Sequence, residues 1–374
     1  VSADAPCIAF TGGGTGGHVY PGLAVIEALR ERWNGRIVWI GSGKEVERAA
    51  VEAAGVEFFS VPSGKLRRSL SLRNVADAFK VAAGYVASRR LLKRLKPLVL
   101  FSKGGYVSVA PCLAASSLGI PYYTHESDVS PGLATRINAR KASGIVLSWE
   151  ASLAYLSDGQ KNRALVAGNP VRKAMQSGDA ARGRSWLGFA DTLPVVLVLG
   201  GSQGARQVND LMQAILPALA GKAAVAHQTG AGNAPLRAAD AGYKGFEYVH
   251  GELADLMAAA DIIVGRAGAG TVWESSANGK PMVLIPLAGY GTRGDQVENA
   301  RLLEKAGAAI ALVGDDAVPA RLQAAVLELA GAPERRAAMA AAARAAARPG
   351  AAGLIADYVL NQAMMAGARR KEGA

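Results

Sequence analysis

Short apolar runs alternate with helix-spaced stretches along the whole chain. Cys7-Ile-Ala-Phe10 reads as a strand, closed by the glycine run Gly12-Gly-Gly-Thr-Gly-Gly17. A helix is predicted from about Pro21 to Trp33, with the proline in its first turn. Arg36–Ile40, Val56–Val61, Pro97–Phe101, Pro121–Thr124 and Gly144–Ser148 continue the strands. The series then restarts with Pro194–Leu199, the turn Gly200-Gly-Ser-Gln-Gly204 and a helix from about Ala205. Ala223–Gln228, Phe246–Val249, Asp261–Val264, Pro281–Pro286 and Ala308–Leu312 carry it on. Strands alternating with helices predict parallel sheets covered on both faces.

Two such series, each opening with strand, glycine turn and helix, predict two Rossmann-like α/β domains. The boundaries fall at residues 1–168 and 169–350, followed by a last helix and tail over 351–374. Pro349-Gly350 breaks the Ala-rich helix former Ala337–Arg348 ahead of an amphipathic stretch, Leu354 to Met365.

Composition narrows the class. The 374 residues suffice for two domains or at most three; 50% hydrophobic against 19% charged residues excludes global disorder. With 6% aromatics and 45 glycines, helix-on-sheet packing is favoured over an aromatic-rich β-sandwich. Cys7 and Cys112 are too few for a disulfide scaffold and read as buried, reduced thiols. No signal peptide and no membrane span are expected: the longest uncharged stretch, Gly104–Thr124, is interrupted by Pro111 and Pro121.

The net charge of +12 is concentrated. Ten basic residues lie between Lys65 and Lys96, against the single acid Asp77. Arg67, Arg68, Arg73, Lys80, Arg89 and Arg90 are interleaved with Leu72, Val75, Phe79 and Val86, the last three sharing one helical face. A solvated basic face, an anionic membrane surface and nucleic acid compete for this segment. No nucleic-acid-binding motif accompanies it, so the membrane surface is preferred to nucleic acid.

Gly12-x-Gly14-x-x-Gly17 has the form of a dinucleotide fingerprint. The acid that should end the second strand is missing, however; Ile40-Gly41-Ser42-Gly43 stands there, and Glu45 and Glu47 read as ordinary helix surface. What the turn offers is backbone N–H groups at a helix N-terminus, open to an anion. His18 follows directly, where a helix N-terminus disfavours the imidazolium and leaves a neutral ring suited to a general base. Gly200–Ala205 and Arg266-Ala-Gly-Ala-Gly-Thr271 offer two more such termini, which can converge on one diphosphate. No Asp-x-Asp pair is present, so no metal and no cofactor are indicated; Ser202, Thr271 and Arg172 are left to stabilise leaving-group charge. His125 reads as a hydrogen-bonded residue and His227 as structural, and no Gly-x-Ser-x-Gly hydrolase signature occurs.

Six segments in order carry a resemblance. They are Gly13–His18, Gly104–Ser108, His125-Glu126, Gly168–Arg172, Gly200–Ala205 and Leu303–Gly307. From about residue 7 to 360 the chain resembles the MurG family, bacterial N-acetylglucosaminyltransferases that convert lipid I to lipid II in peptidoglycan synthesis. The resemblance implies two Rossmann-like domains facing a cleft (the glycosyltransferase-B architecture), with the last helix crossing back to the N-terminal domain. It implies UDP-N-acetylglucosamine as donor, held mainly by the C-terminal domain. The acceptor would be undecaprenyl-diphospho-N-acetylmuramoyl-pentapeptide, met at the cytoplasmic face of the cell membrane by a peripheral protein. The transfer would be inverting and metal-independent. The anionic inner leaflet and other cell-wall synthesis proteins are the implied partners.

Carried over by position, His18 matches the base, with Glu126 as its rival. Gly14, Tyr106 and Ser108 match acceptor contacts. Thr15, Gly16, Gly17, Asp128, Arg172, Ser202, His250, Ala269, Gly270, Thr271, Val272, Trp273, Glu274 and Gln296 match donor contacts, Glu274 at the ribose and Gln296 at the sugar hydroxyls. The basic segment coincides with the family's membrane-facing patch. Asp128 stands where the family often has Asn, Asp295 precedes Gln296 where Gln or His is common, Trp273 replaces a small residue, and only the backbone role of His250 transfers. The alternatives are a same-fold glycolipid glycosyltransferase with another acceptor, a non-catalytic basic scaffold, and an NAD-dependent oxidoreductase.

Overall fold

The computed structural model describes residues 5–64, 72–189, 192–201, 204–234, 242–249, 251–289 and 292–372, without the side chains of 72–76 and 371. The chain divides into two compact units, Val1–Arg172 with Gly350–Ala374, and Lys173–Pro349.

The first unit is a seven-stranded parallel sheet in the order β3-β2-β1-β4-β5-β6-β7. Its strands are β1 (Cys7–Thr11), β2 (Arg36–Gly41), β3 (Glu57–Ser60), β4 (Val99–Ser102), β5 (Tyr122–Glu126), β6 (Gly144–Leu147) and β7 (Ala164–Val166). β1 registers Ile8 against Ile37 on one side and Val99 on the other. The two central strands, β1 and β4, are buried throughout and apolar up to their last residues, Thr11 and Ser102, because helices cover both faces. β7, a three-residue, half-buried edge strand, has no counterpart in the sequence reading: so short a run carries no periodicity to detect.

The helix after β1 spans Gly16–Arg30, so it starts before Pro21 and leaves the proline in its second turn. Helix Ala351–Glu372 packs on it, burying Ile355, Ala356, Val359 and Ala363 beside Val19, Leu23 and Ile26. Burial of Ile355 and Val359 contributes roughly 1.5–3 kcal/mol each. Tyr123 adds an edge-on ring contact with Tyr358 and a hydroxyl bond to Gln362 at 2.8 Å. The two thiols are buried, and burial pushes Cys7 up to about 11 and Cys112 to about 12.

The second unit is a six-stranded parallel sheet in the order β10-β9-β8-β11-β12-β13. Its strands are β8 (Val195–Leu199), β9 (Ala224–Gln228), β10 (Tyr243–Phe246), β11 (Ile262–Gly265), β12 (Met282–Leu284) and β13 (Ala309–Ala311). β10 lies three residues earlier than the apolar run Phe246–Val249 suggests; pairing of Tyr243 with Val225 at the sheet edge sets its register. In each sheet the strand order reverses next to the first strand, between β1 and β4 and between β8 and β11. Loops leave that point in opposite directions and open a crevice at the carboxyl ends of the strands. All the glycine turns singled out in the sequence lie there.

Candidate active site

The turn after β1 runs through Gly12, Gly13 and Gly14, all at positive φ. A Cβ on Gly14 would lie 2.5 Å from the Tyr106 ring, and one on Gly105 (φ +76) would lie 2.5 Å from the Gly13 carbonyl and 2.9 Å from the His18 ring. Glycine at these positions lets the loops after β1 and β4 touch. Thr15 then takes extended dihedrals as N-cap, without a side-chain cap bond. Gly16, Gly17 and His18 form the first helical turn, where N–H groups lack intrahelical partners; the His18 N–H itself reaches Thr15 O at 3.1 Å.

The His18 ring is held through Nδ1, 3.3 Å from the Lys103 carbonyl. A carbonyl can only accept, so Nδ1 carries the proton and Nε2 the lone pair. Below it lies a network that the sequence reading did not anticipate. Lys103 Nζ is 2.8 Å from His125 Nδ1 and also donates to Ser127 Oγ. His125 Nε2 donates to Gly168 O at 3.1 Å, and Ser127 Oγ donates to Asn169 Oδ1 at 3.0 Å. Lys103 is only 1% exposed. Burial lowers its ammonium to about 7 against the opposing pull of the Glu126 and Asp128 carboxylates. Burial, and then the Lys103 charge, hold His125 well below the usual histidine range. The available sequence signal was a lone cation between an apolar strand and paired glycines.

Glu126 is buried, and its carboxylate accepts three backbone amides: Ser127 at 2.9 Å, Asp128 at 3.1 Å and Gly132 at 3.0 Å. That is the geometry of a loop anchor. Ser108 is also interior, its hydroxyl donating to Gly105 O and accepting from Asn138, so it braces the loop and offers no group to a ligand. Tyr106 is half-exposed, with the Lys44 ammonium 6.0 Å from its ring centre. Arg172 stacks 4.4 Å from the ring centre of Tyr20, on the helix that begins at the glycine turn. Glu47 corrects the sequence reading: it is 5% exposed, not surface, and folds back to the end of β2, accepting from Ser42 N and Oγ. Gly13 and Gly41 leave the room it occupies.

In the second unit, Gly201 and Gly204 turn the chain out of β8 at positive φ ahead of helix Arg206–Leu219. Gln228 ties this turn to the next loop, donating to Gly201 O and accepting from Val249 N. Ser202 and His250 lie outside the described residues. Helix Ala269–Ala277 begins just beyond β11 with Gly268 as N-cap. Ala269, Gly270, Thr271 and Glu274 are half-exposed on it, whereas the side chains of Val272 and Trp273 are buried. Gln296 accepts from Leu287 N at 2.9 Å, so its side-chain N–H is the donor it can offer a ligand. The described donor-matching residues of this unit thus lie on the two helices that follow β11 and β12.

His227 is buried, its Nε2 3.0 Å from Asn209 Oδ1, and desolvation lowers it to about 4. His125 is likewise depressed. Both are neutral when folded but protonate near 6.5 when unfolded. Stability is therefore fully present above pH 6.5 and declines as pH falls below it, by about 1.4 kcal/mol per pH unit per group. For His227 the decline runs to about pH 4. Lys103 acts in the alkaline window: the unfolded chain binds the extra proton between about 7 and 10.5, so stability rises with pH there. Urea midpoints taken from pH 7 to 4.5 should fall, and His227→Gln should show a shallower fall; parallel curves would contradict the assignment.

Helix Leu72–Leu95 carries the part of the basic segment from Arg73 to Arg94. Ser88, Leu92 and Leu95 face inward, while Phe79 is 72% and Val86 45% exposed beside exposed Lys80 and Arg90 and half-buried Arg89. Arg67 and Arg68, and the side chains of Leu72, Arg73 and Val75, lie outside the described residues. Among the described residues, no helix is long and apolar enough to cross a membrane, and no cluster of His, Cys, Asp or Glu has a metal-holding arrangement.

The glycosyltransferase family 28 N-terminal domain matches residues 8–147, and the family 28 C-terminal domain matches residues 195–355. A Treponema denticola protein named UDP-N-acetylglucosamine–N-acetylmuramyl-(pentapeptide) pyrophosphoryl-undecaprenol N-acetylglucosamine transferase is 47% identical, over 84% of this chain and 85% of its own. A Bacillus cereus protein of the same name, numbered 2, is 41% identical over 83% and 87%. Among solved structures, Acinetobacter baumannii MurG superposes with a TM-score of 0.72 at 24% identity, covering 96% of this chain and 99% of that one. The UDP-GlcNAc 2-epimerase of Neisseria meningitidis, bound to UDP-GlcNAc, superposes at 0.67 and 14% identity, covering 95% and 99%. These two show the shared fold.

Proposed function

The chain belongs to glycosyltransferase family 28, and we propose that it transfers N-acetylglucosamine from UDP-N-acetylglucosamine to undecaprenyl-diphospho-N-acetylmuramoyl-pentapeptide, turning lipid I into lipid II. The observation that carries this reading is the high identity, over more than four fifths of the chain, to relatives bearing that activity's name.

The second unit takes the donor. The N-termini of helices Ala269–Ala277 and Arg206–Leu219 present positive dipole ends to the diphosphate, each worth from a few tenths to about 2 kcal/mol. Glu274, one turn into the same helix, accepts from the ribose hydroxyls, and Gln296 reads the sugar. The first unit supplies the acceptor side. The acceptor 4-hydroxyl oxygen attacks the anomeric carbon from the face opposite UDP while the bond from carbon to the diphosphate oxygen breaks. The α-linked donor gives a β-1,4 product through an oxocarbenium-like transition state. The hydroxyl proton passes to His18 Nε2, the acceptor nitrogen left by the Lys103 contact. Arg172, Thr271 and the helix dipoles balance the leaving diphosphate, so no metal is invoked.

Phe79 and Val86, exposed among the cations of helix Leu72–Leu95, fit insertion at an anionic leaflet, with each Lys or Arg near the surface adding about 1 kcal/mol. This reading places the enzyme peripherally on the cytoplasmic face. The deciding experiment is acceptor-dependent UDP release: turnover with lipid I supports the proposal, and release with another glycolipid only would redirect it to a same-fold enzyme.

A further inference from the structure

No other lysine or arginine among the described residues is as deeply buried as Lys103. An ammonium inside a protein is unfavourable unless it is paired and hydrogen-bonded, and a methionine would fill the same space without that penalty. The bonds around Lys103 supply a reason for its presence. From Nζ, one branch runs through His125 to the Gly168 carbonyl, and a second through Ser127 to the Asn169 side chain. Its own carbonyl takes His18 Nδ1. One residue thus touches the candidate base and the end of β5 and, through His125 and Ser127, reaches the segment by which the chain leaves the first unit.

The proton directions are fixed along both branches. Gly168 O accepts from His125 Nε2, which leaves Nδ1 as the acceptor for Lys103. Asp128 gains a meaning here too: with Glu126 it supplies the negative charge that favours the buried ammonium.

We propose that Lys103 is a positioning residue, whose side chain locks the His125 tautomer and the Gly168-Asn169 exit segment while its backbone holds His18 for proton transfer. The inference rests on the reading of His18 as the base of a sugar transfer.

Lys103→Met keeps the volume and removes the donor. Expected is a kcat about 10–100-fold lower, because misplacement by an ångström suffices for that loss, with the KM for UDP-N-acetylglucosamine within about twofold. Adding Asp128→Asn removes the carboxylate left without its cation, and should recover about threefold of the lost kcat if the two charges are coupled. Ser127→Ala cuts only the branch to Asn169 and should lower kcat about 3–10-fold; it decides the matter if Lys103→Met does not fold. An independent readout is nitrogen NMR of the histidine rings. In the unaltered chain His125 should be the Nε2–H tautomer with Nδ1 accepting from Lys103, and His18 the Nδ1–H tautomer; in Lys103→Met, the His125 Nδ1 signal should shift to that of a nitrogen that has lost its donor, and the His18 signals should broaden as the loop that carries its carbonyl partner loosens.

Unchanged ring shifts and kcat within about twofold in folded Lys103→Met would overturn the inference. If the unaltered chain releases no UDP with lipid I, the functional reading fails, and the ring shifts still decide the role of Lys103.

Discussion

Replacing His18 by alanine is expected to lower kcat by about 10²–10⁴-fold, the range a positioned general base contributes. The KM for UDP-N-acetylglucosamine should stay within about threefold, because the ring abstracts a proton and does not hold the nucleotide. The geometry separates His18 from a residue that merely fills the loop. Its Nδ1 is turned to the Lys103 carbonyl, its ring is seated by the absent Cβ of Gly105, and the lone pair sits on Nε2. The fold should survive, since the lost bond is worth about 1 kcal/mol. Initial rates at saturating acceptor, with UDP affinity from titration calorimetry, check this. Equal losses in kcat and UDP affinity would show that His18 shapes the donor site and is not the base.

Glu126→Gln should do the opposite, costing more stability than turnover. One carboxylate oxygen accepts from Ser127 and Asp128, the other from Gly132, and the group is buried. The amide keeps one acceptor and turns an N–H toward one of these donors, leaving a buried amide unpaired at about 1–3 kcal/mol and weakening two bonds to a charge. A total of about 2–4 kcal/mol corresponds to a Tm lower by roughly 5–10 °C in a unit of this size. For molecules that remain folded, kcat should fall by no more than about tenfold, through loosening of the loop. Thermal unfolding and initial rates on the same sample check both halves. Unchanged Tm together with a kcat loss exceeding that of His18→Ala would transfer the base role to Glu126.

Local sequence made much of this architecture legible. Apolar runs between glycine turns mark most strands, because a parallel sheet covered on both faces leaves them few polar positions. The glycine turns mark the switch points, because close approach between loops excludes a Cβ; Gly14 against Tyr106 and Gly105 against His18 are the physical content of that signal. What escaped was decided at longer range. Glu47 reads as helix surface until its helix is docked and the carboxylate folds back beneath the glycine turn. Ser108, Val272 and Trp273 belong to matching motifs but face inward, and motif spacing does not say which way a side chain points. Lys103 was the largest omission. Its role depends on His125, Ser127 and the carbonyl contact to His18, brought to it from two other segments of the chain. Asp128, a departure from the family pattern in sequence, adds with Glu126 to the negative charge that favours that lysine's ammonium.

Release of UDP from UDP-N-acetylglucosamine, followed with and without a lipid I analogue and beside a diacylglycerol control, tests the central claim most directly. The account predicts steady release only when the lipid I analogue is present, with a β-1,4-linked disaccharide as the product. Release with diacylglycerol but not the lipid I analogue, or an absence of UDP binding, would contradict it.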